Sequence, residues 1–306
     1  MIALLFFFQV LLPMVYLVVW GSYMWLFLAD HPTARRWCTR LAFIAVFLHL
    51  GAIGVQSLVL GRLPMGAPLE FASLLAVAML VTYLVIEQRL KAKGTGFVVT
   101  GMAFLMEFIA AAFRTSAPAA SPLLKDPGFA GHAILVLLSY TALSLSFLYS
   151  ILYLIQSRQL ARRQFGLFFR RLPSLETLER MSVGAVKLGV PLMLASLCLG
   201  HLWMYDLAER MPPDIAAKLS PYDPKVLVAW VIFLGYSLGL IGNRFFGWRG
   251  RKMSVMAIAT FVTILLALGV VQHFFPTFHK FYSTQSMTTV VAAGAPLLSF
   301  PRQVRS

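Results

Sequence analysis

Continuous apolar runs recur eight times along the chain, at about 2–28, 41–60, 71–88, 96–113, 131–156, 183–203, 226–246 and 253–275. None shows the two-residue alternation of a half-buried strand, and each is long enough to cross a hydrocarbon layer of about 30 Å as a helix. The pattern therefore predicts an all-α fold, a polytopic transmembrane bundle of about eight spans forming one domain over 1–306, and it excludes a β-barrel. The first run lacks a basic leading segment and a small-residue cleavage site, and it is too long and apolar for a signal peptide, so it counts as a span.

The connections between runs alternate in charge. Arg35, Arg36 and Arg40; Arg89, Lys91 and Lys93; Arg158, Arg162, Arg163, Arg170, Arg171 and Arg180; and Arg244, Arg249, Arg251 and Lys252 fill four compact loops with 16 of the 26 basic residues. The intervening loops and the tail spread Arg62, Arg114, Lys125, Arg210, Lys218, Lys225, Lys280, Arg302 and Arg305 over longer stretches. The excess of positive charge on cytoplasmic loops then predicts that both termini and the 204–225 loop lie outside the cytoplasm. Segment 204–225 is the longest polar excursion on that side and reads as a lid. Loop 157–182, with paired arginines around Phe165–Phe169, reads as an amphipathic helix on anionic lipid or as a docking site for a cytoplasmic partner. Ser174 is placed to cap the helix that follows it.

Composition agrees: 59% of residues are hydrophobic and 12% charged, against about 25% charged in soluble domains. The net charge of +15 is distributed as membrane topology requires, so it does not indicate nucleic acid. Cys38 and Cys198 fall on opposite sides of this topology, and neither belongs to a C-x-x-C motif, which argues against thiol redox chemistry.

The histidines are the main candidates for chemistry. His132, His201, His273 and His279 all map to the outer ends of spans, whereas His31 lies at the inner face and His49 at bilayer depth. Each outer histidine alone reads as an interfacial polar residue. As a set they point to imidazole ligation of a metal or of heme iron. Trp203, Tyr205, Tyr222 and Phe278 offer surfaces for a flat ring on that face, and Arg210, Lys218 and Lys225 offer partners for its carboxylates. That combination suits heme better than zinc, which wants tighter ligand spacing. Cys198 and His201, three apart on a helix, read as packing rather than as a soft metal pair. His49 needs a buried partner, for which Glu107 is the candidate, and reads equally as a hydrogen-bonded core residue or as a ligand. Lys187 can reach the inner surface by snorkelling.

Several strings in order resemble the CcsA/HemX branch of the cytochrome c assembly proteins over nearly the whole chain. They are His49 with Gly61-Arg62-Leu63-Pro64 and Glu70, His132-Ala133-Ile134 through Tyr153-Leu154-Ile155-Gln156, Leu172–Glu176 with Gly189-Val190-Pro191-Leu192, Asp223-Pro224-Lys225, Gly247–Arg251 and His279. The resemblance implies a bacterial inner-membrane protein that binds heme b and presents it at the outer face. Its partners would be apocytochrome c or another membrane or periplasmic assembly protein. It implies His132 and His279 as axial ligands, His49 as a histidine within the membrane, and a cofactor-binding loop near Trp203, Tyr222 and Asp223. The family's tryptophan-rich loop is reduced here to Tyr222-Asp223-Pro224-Lys225, and a second membrane histidine, expected in span seven, is replaced by the stretch LGLIGNR at 238–244. These departures favour a heme-binding subunit or a divergent assembly factor over a full heme-transporting synthase, and whether the chain forms thioether bonds stays open.

Two other classes compete. A non-catalytic membrane subunit or regulator would keep the scaffold without heme. A b-type electron carrier needs facing histidines at membrane depth, and only His49 qualifies. A small-solute transporter built on Glu107 would call for broken helices or inverted repeats, which the sequence does not display.

Overall fold

The computed structural model describes residues 2–113, 122–210 and 220–274, and every long element among them is an α-helix. These are α1 (Ile2–Ala29), α2 (Pro32–Leu60), α3 (Pro68–Leu90), α4 (Gly96–Ala112), α5 (Pro127–Ala161), the short α6 (Leu167–Arg171), α7 (Leu175–Arg210), α8 (Pro224–Phe245) and α9 (Arg251–Phe274), with one 3-10 turn at Pro122–Lys125. Seven are long and apolar enough to cross a membrane. The remaining expected span is α4, whose 17 residues reach about 25 Å, the short edge of the spanning range. The protein is an integral membrane helical bundle.

Several helices begin earlier than their apolar runs, because caps rather than hydropathy set helix ends. Pro32, Pro68, Pro127 and Pro224 each stand in the first turn, where the missing N–H costs nothing. Asp126 and Asp223 cap α5 and α8 by accepting from Gly128 N and Lys225 N. Ser174 accepts from Thr177 N at 3.3 Å and starts α7 as anticipated. Of the 204–225 segment expected as a lid, Met204–Arg210 continue α7 as a helical stalk, and 211–219 lie outside the described residues. At 36 residues, or about 54 Å, α7 extends well past the hydrocarbon layer.

Helices α1–α4 form one half of the bundle around Tyr16, Tyr23, Met79, Leu80 and Tyr83. Its four helices share a buried polar chain. The Tyr16 hydroxyl meets His49 Nδ1 at 2.9 Å, Ser73 Oγ meets His49 Nε2 at 3.2 Å, and Ser73 donates to Glu107 at 2.6 Å. His49 thus has the partner that its depth demanded, with Glu107 Oε2 3.9 Å from Nε2.

The second half is organised by the antiparallel pair α5 and α7. Three polar rungs join them, seven residues apart on each helix. Ser146 meets Ser182 at 3.0 Å, Ser139 donates to the Gly189 carbonyl at 2.9 Å, and His132 Nδ1 donates to the Ser196 carbonyl at 2.9 Å. Residue numbers rise by seven on α5 as they fall by seven on α7, the constant register of a left-handed antiparallel seam. Small residues permit the close approach: a Cβ at Gly189 would sit 2.8 Å from Leu143 Cδ2. Helices α8 and α9 complete this half through Ile232, Tyr236, Phe261 and Ile264.

The arginine-rich loops gather at one end and clasp the halves together. In segment 157–182, α6 inserts Phe168 against Phe27 and Phe97. Asp30 takes hydrogen bonds from both Arg35 and Arg171, which hold its carboxyl below the usual value of 3.8. Nearby, buried Glu87 accepts from Tyr23 and Thr39, with Lys93 at 3.6 Å.

Candidate functional site

At the end of the bundle opposite the arginine-rich loops, the halves part around a cavity of about 570 Å³. Its walls are the turn before α3 (Met65, Ala67), Phe71 of α3, Phe129, His132 and Tyr140 of α5, Ser196, His201 and Trp203 of α7, and Lys225 and Val226 at the start of α8.

The α3 wall is held rigid from behind. Arg62 and Glu70 form a buried two-pronged ion pair at 2.9 and 3.0 Å, and Glu70 also accepts from Gly66 N and Ala67 N. Such a pair contributes little net stability after desolvation, but it fixes geometry. The Gly61–Pro64 string and Glu70 therefore build the turn that carries Met65 and Ala67 into the cavity wall.

The α5 and α7 walls follow from the seam. His132 is its outermost rung, and its ring lies so close to Gly200 that a Cβ there would stand 2.8 Å from both Cε1 and Nδ1. Because a carbonyl only accepts, the bond to Ser196 requires the proton on Nδ1, and the neutral ring then keeps its lone pair on Nε2. Asp126 ties the two helix ends together. It accepts from Trp203 Nε1 at 3.0 Å and from Gly128 N at 2.7 Å, with Arg210 at 3.4 Å. Trp203 packs tilted on Phe129, their centroids 5.8 Å apart.

Of the residues singled out by sequence, the structure brings His132, Trp203 and Lys225 to this cavity, together with His201. Asp223 stands one step back, buried and capping α8 so that Lys225 is positioned. Tyr222 is 78% exposed and outside the lining. His49 belongs to the α1–α4 polar chain, with both ring nitrogens engaged. His279, Lys218 and Phe278 lie outside the described residues, as does the side chain of His273. Among the described residues no group of three or more His, Cys, Asp or Glu side chains is placed to hold a metal ion. Sequence reasoning missed Asp126, Gly200 and the Ser196 carbonyl. The seven-residue recurrence of His132, Ser139 and Ser146 against Ser182, Gly189 and Ser196 was the signal that could have found the Ser196 carbonyl.

Comparison with known proteins matches residues 9–279 to the family described as cytochrome C assembly protein. Among curated relatives, Protein HemX of Bacillus subtilis is 32% identical over 135 residues, 44% of this chain and 46% of that protein, so the chain spans about half the length of that relative. Inner membrane protein YpjD of Escherichia coli is 28% identical over 237 residues, covering 76% of this chain and 84% of YpjD. Cytochrome c biogenesis protein CcsA of Microcystis aeruginosa is 24% identical over 271 residues, covering 71% of this chain and 79% of CcsA. The chain is a member of the cytochrome c assembly protein family.

Proposed function

We propose that this protein handles heme in cytochrome c biogenesis, holding heme b in the cavity between its halves with His132 as an axial imidazole. The observation that carries the reading is the His132 ring, fixed through Nδ1 on the Ser196 carbonyl, on the wall of a cavity of about 570 Å³. Ligand pockets run from roughly 300 to 1,000 Å³ and are mostly apolar with a few placed polar groups. Phe129, Tyr140 and Trp203 supply flat or apolar surface here, and Lys225 supplies a cation for a carboxylate. His279 remains the proposed second ligand, and Asp223 acts through the cap that sets Lys225.

Bound heme would supply the iron and the group to be delivered to apocytochrome c. The chain's own residues bind it, orient it and exclude water. The name of the CcsA relative supports the pathway and that of YpjD an inner-membrane location. The charge distribution supports an orientation with both termini and the cavity outside the cytoplasm.

Hemin titration of the purified protein tests the reading. Wild type should bind one equivalent, and the His132→Ala/His279→Ala variant should bind about 100-fold more weakly, the order expected for two lost ligand interactions. A double variant that loads hemin as tightly as wild type overturns the assignment. A second reading, a scaffold subunit without heme, is favoured by one fact: His132 continues a ladder whose other α5 rungs are serines, so packing alone can place it. Heme-free, stoichiometric co-purification with another membrane complex would identify that role.

A further inference from the structure

His132 is not the only imidazole prepared in this way. His201 also lines the cavity, and its Nδ1 donates at 2.8 Å to the Leu197 carbonyl, the next carbonyl along α7 from the one that holds His132. By the same reasoning Nδ1 carries a proton, and in the Nδ1–H tautomer the lone pair is on Nε2.

We infer that His201 is a second iron-ligating position in the cavity, interchangeable with His132; this rests on the heme reading above. The α5–α7 seam does not account for His201, which falls off the seven-residue register of Ser182, Gly189 and Ser196. Its ring is instead held edge-on by Trp230 of α8, with centroids 6.0 Å apart. A tautomer fixed by one hydrogen bond and a ring oriented by an aromatic neighbour are the usual preparation of a metal-binding histidine.

Both rings line the cavity. That of His132 lies against Gly200, the residue before His201, and both are tethered to successive α7 carbonyls. Two imidazoles do not close a tetrahedral site, but they do offer one axial position of a macrocycle two alternative ligands. Exchange of the iron between the two imidazoles would let this cavity release one contact while the cofactor stays in place. Such exchange suits a protein that must both retain heme and give it up.

The test is hemin titration of the full-length protein in detergent, read by affinity and by the visible spectrum, for wild type, His132→Ala, His201→Ala and the double variant. His132→Ala should keep a low-spin, bis-imidazole spectrum with affinity reduced about tenfold. The His132→Ala/His201→Ala protein should lose at least a further tenfold together with that spectrum, which added imidazole restores. His132→Ala and the double variant giving the same affinity and spectrum would overturn the inference while leaving the heme reading standing. Wild type that takes up no hemin overturns both. Should the double alanine variant fail to fold, His132→Ala/His201→Met serves instead. It should give a thioether-ligated spectrum, and a spectrum unchanged from His132→Ala again overturns the inference.

Discussion

Gly200 offers the most direct way to move the His132 imidazole without removing it. In Gly200→Ala the new methyl would stand 2.8 Å from His132 Cε1 and Nδ1. Ordinary contact begins near 3.4 Å, so the ring must retreat by about 0.6 Å or rotate. Either motion strains the 2.9 Å bond to the Ser196 carbonyl, worth about 1 kcal/mol. Replacing a helical glycine by alanine returns up to about 1 kcal/mol through backbone entropy. Global stability should therefore stay within about 1 kcal/mol of wild type, while the imidazole loses its tautomer lock and its place. Hemin affinity should fall about tenfold, or about 1.4 kcal/mol. The assay pairs thermal unfolding in detergent with hemin titration, and adding His132→Ala to Gly200→Ala should cost less than His132→Ala alone. Unchanged hemin affinity in a stably folded Gly200→Ala protein would refute the claim that this ring faces the cofactor.

Other predictions address the frame. Asp126→Ala removes the α5 cap and strands the Trp203 indole N–H, at a cost of about 2–3 kcal/mol; Asp126→Asn should recover most of it, and a loss below about 0.5 kcal/mol in detergent unfolding would contradict the tie between the helix ends. Glu107→Ala should destabilise by about 3 kcal/mol, because it leaves buried His49 and Ser73 short of a partner, yet hemin affinity should not change. A Cβ at Gly94 would stand 2.1 Å from the Arg171 carbonyl oxygen, so Gly94→Ala should cost about 1–3 kcal/mol and speed proteolysis of the 157–175 loop. The Asp30 carboxyl is held below 3.8 in the fold by Arg35 and Arg171, so its contribution is present above that value and is lost as pH falls through the lower folded one. Unfolding profiles against pH should show this loss in wild type, and Asp30→Asn should lack it.

Hydropathy and charge made the helical class and the loop order legible, because lipid leaves the backbone few other ways to satisfy its hydrogen bonds. The site was legible only in part. His132 and Trp203 stood out as rare residue types near span ends, and Glu107 as the one carboxylate able to reach His49 at depth. What hydropathy could not show was register: which faces of α5 and α7 meet depends on small residues such as Gly189, Ser196 and Gly200, and these carry almost no hydropathic signal. For the same reason His201 looked no different from any interfacial histidine until its Nδ1 was seen bound to the Leu197 carbonyl. Polarity at 204–210 marked departure from lipid, not the end of α7.

The measurement closest to the central claim is the visible spectrum and pyridine hemochrome of the detergent-purified protein after hemin titration, for wild type beside His132→Ala. The cavity and its anchored imidazole predict one equivalent of low-spin b-type heme in wild type, with binding weakened about tenfold in the variant. A wild-type protein that binds no hemin, or one whose hemin affinity is indifferent to His132, would contradict the account.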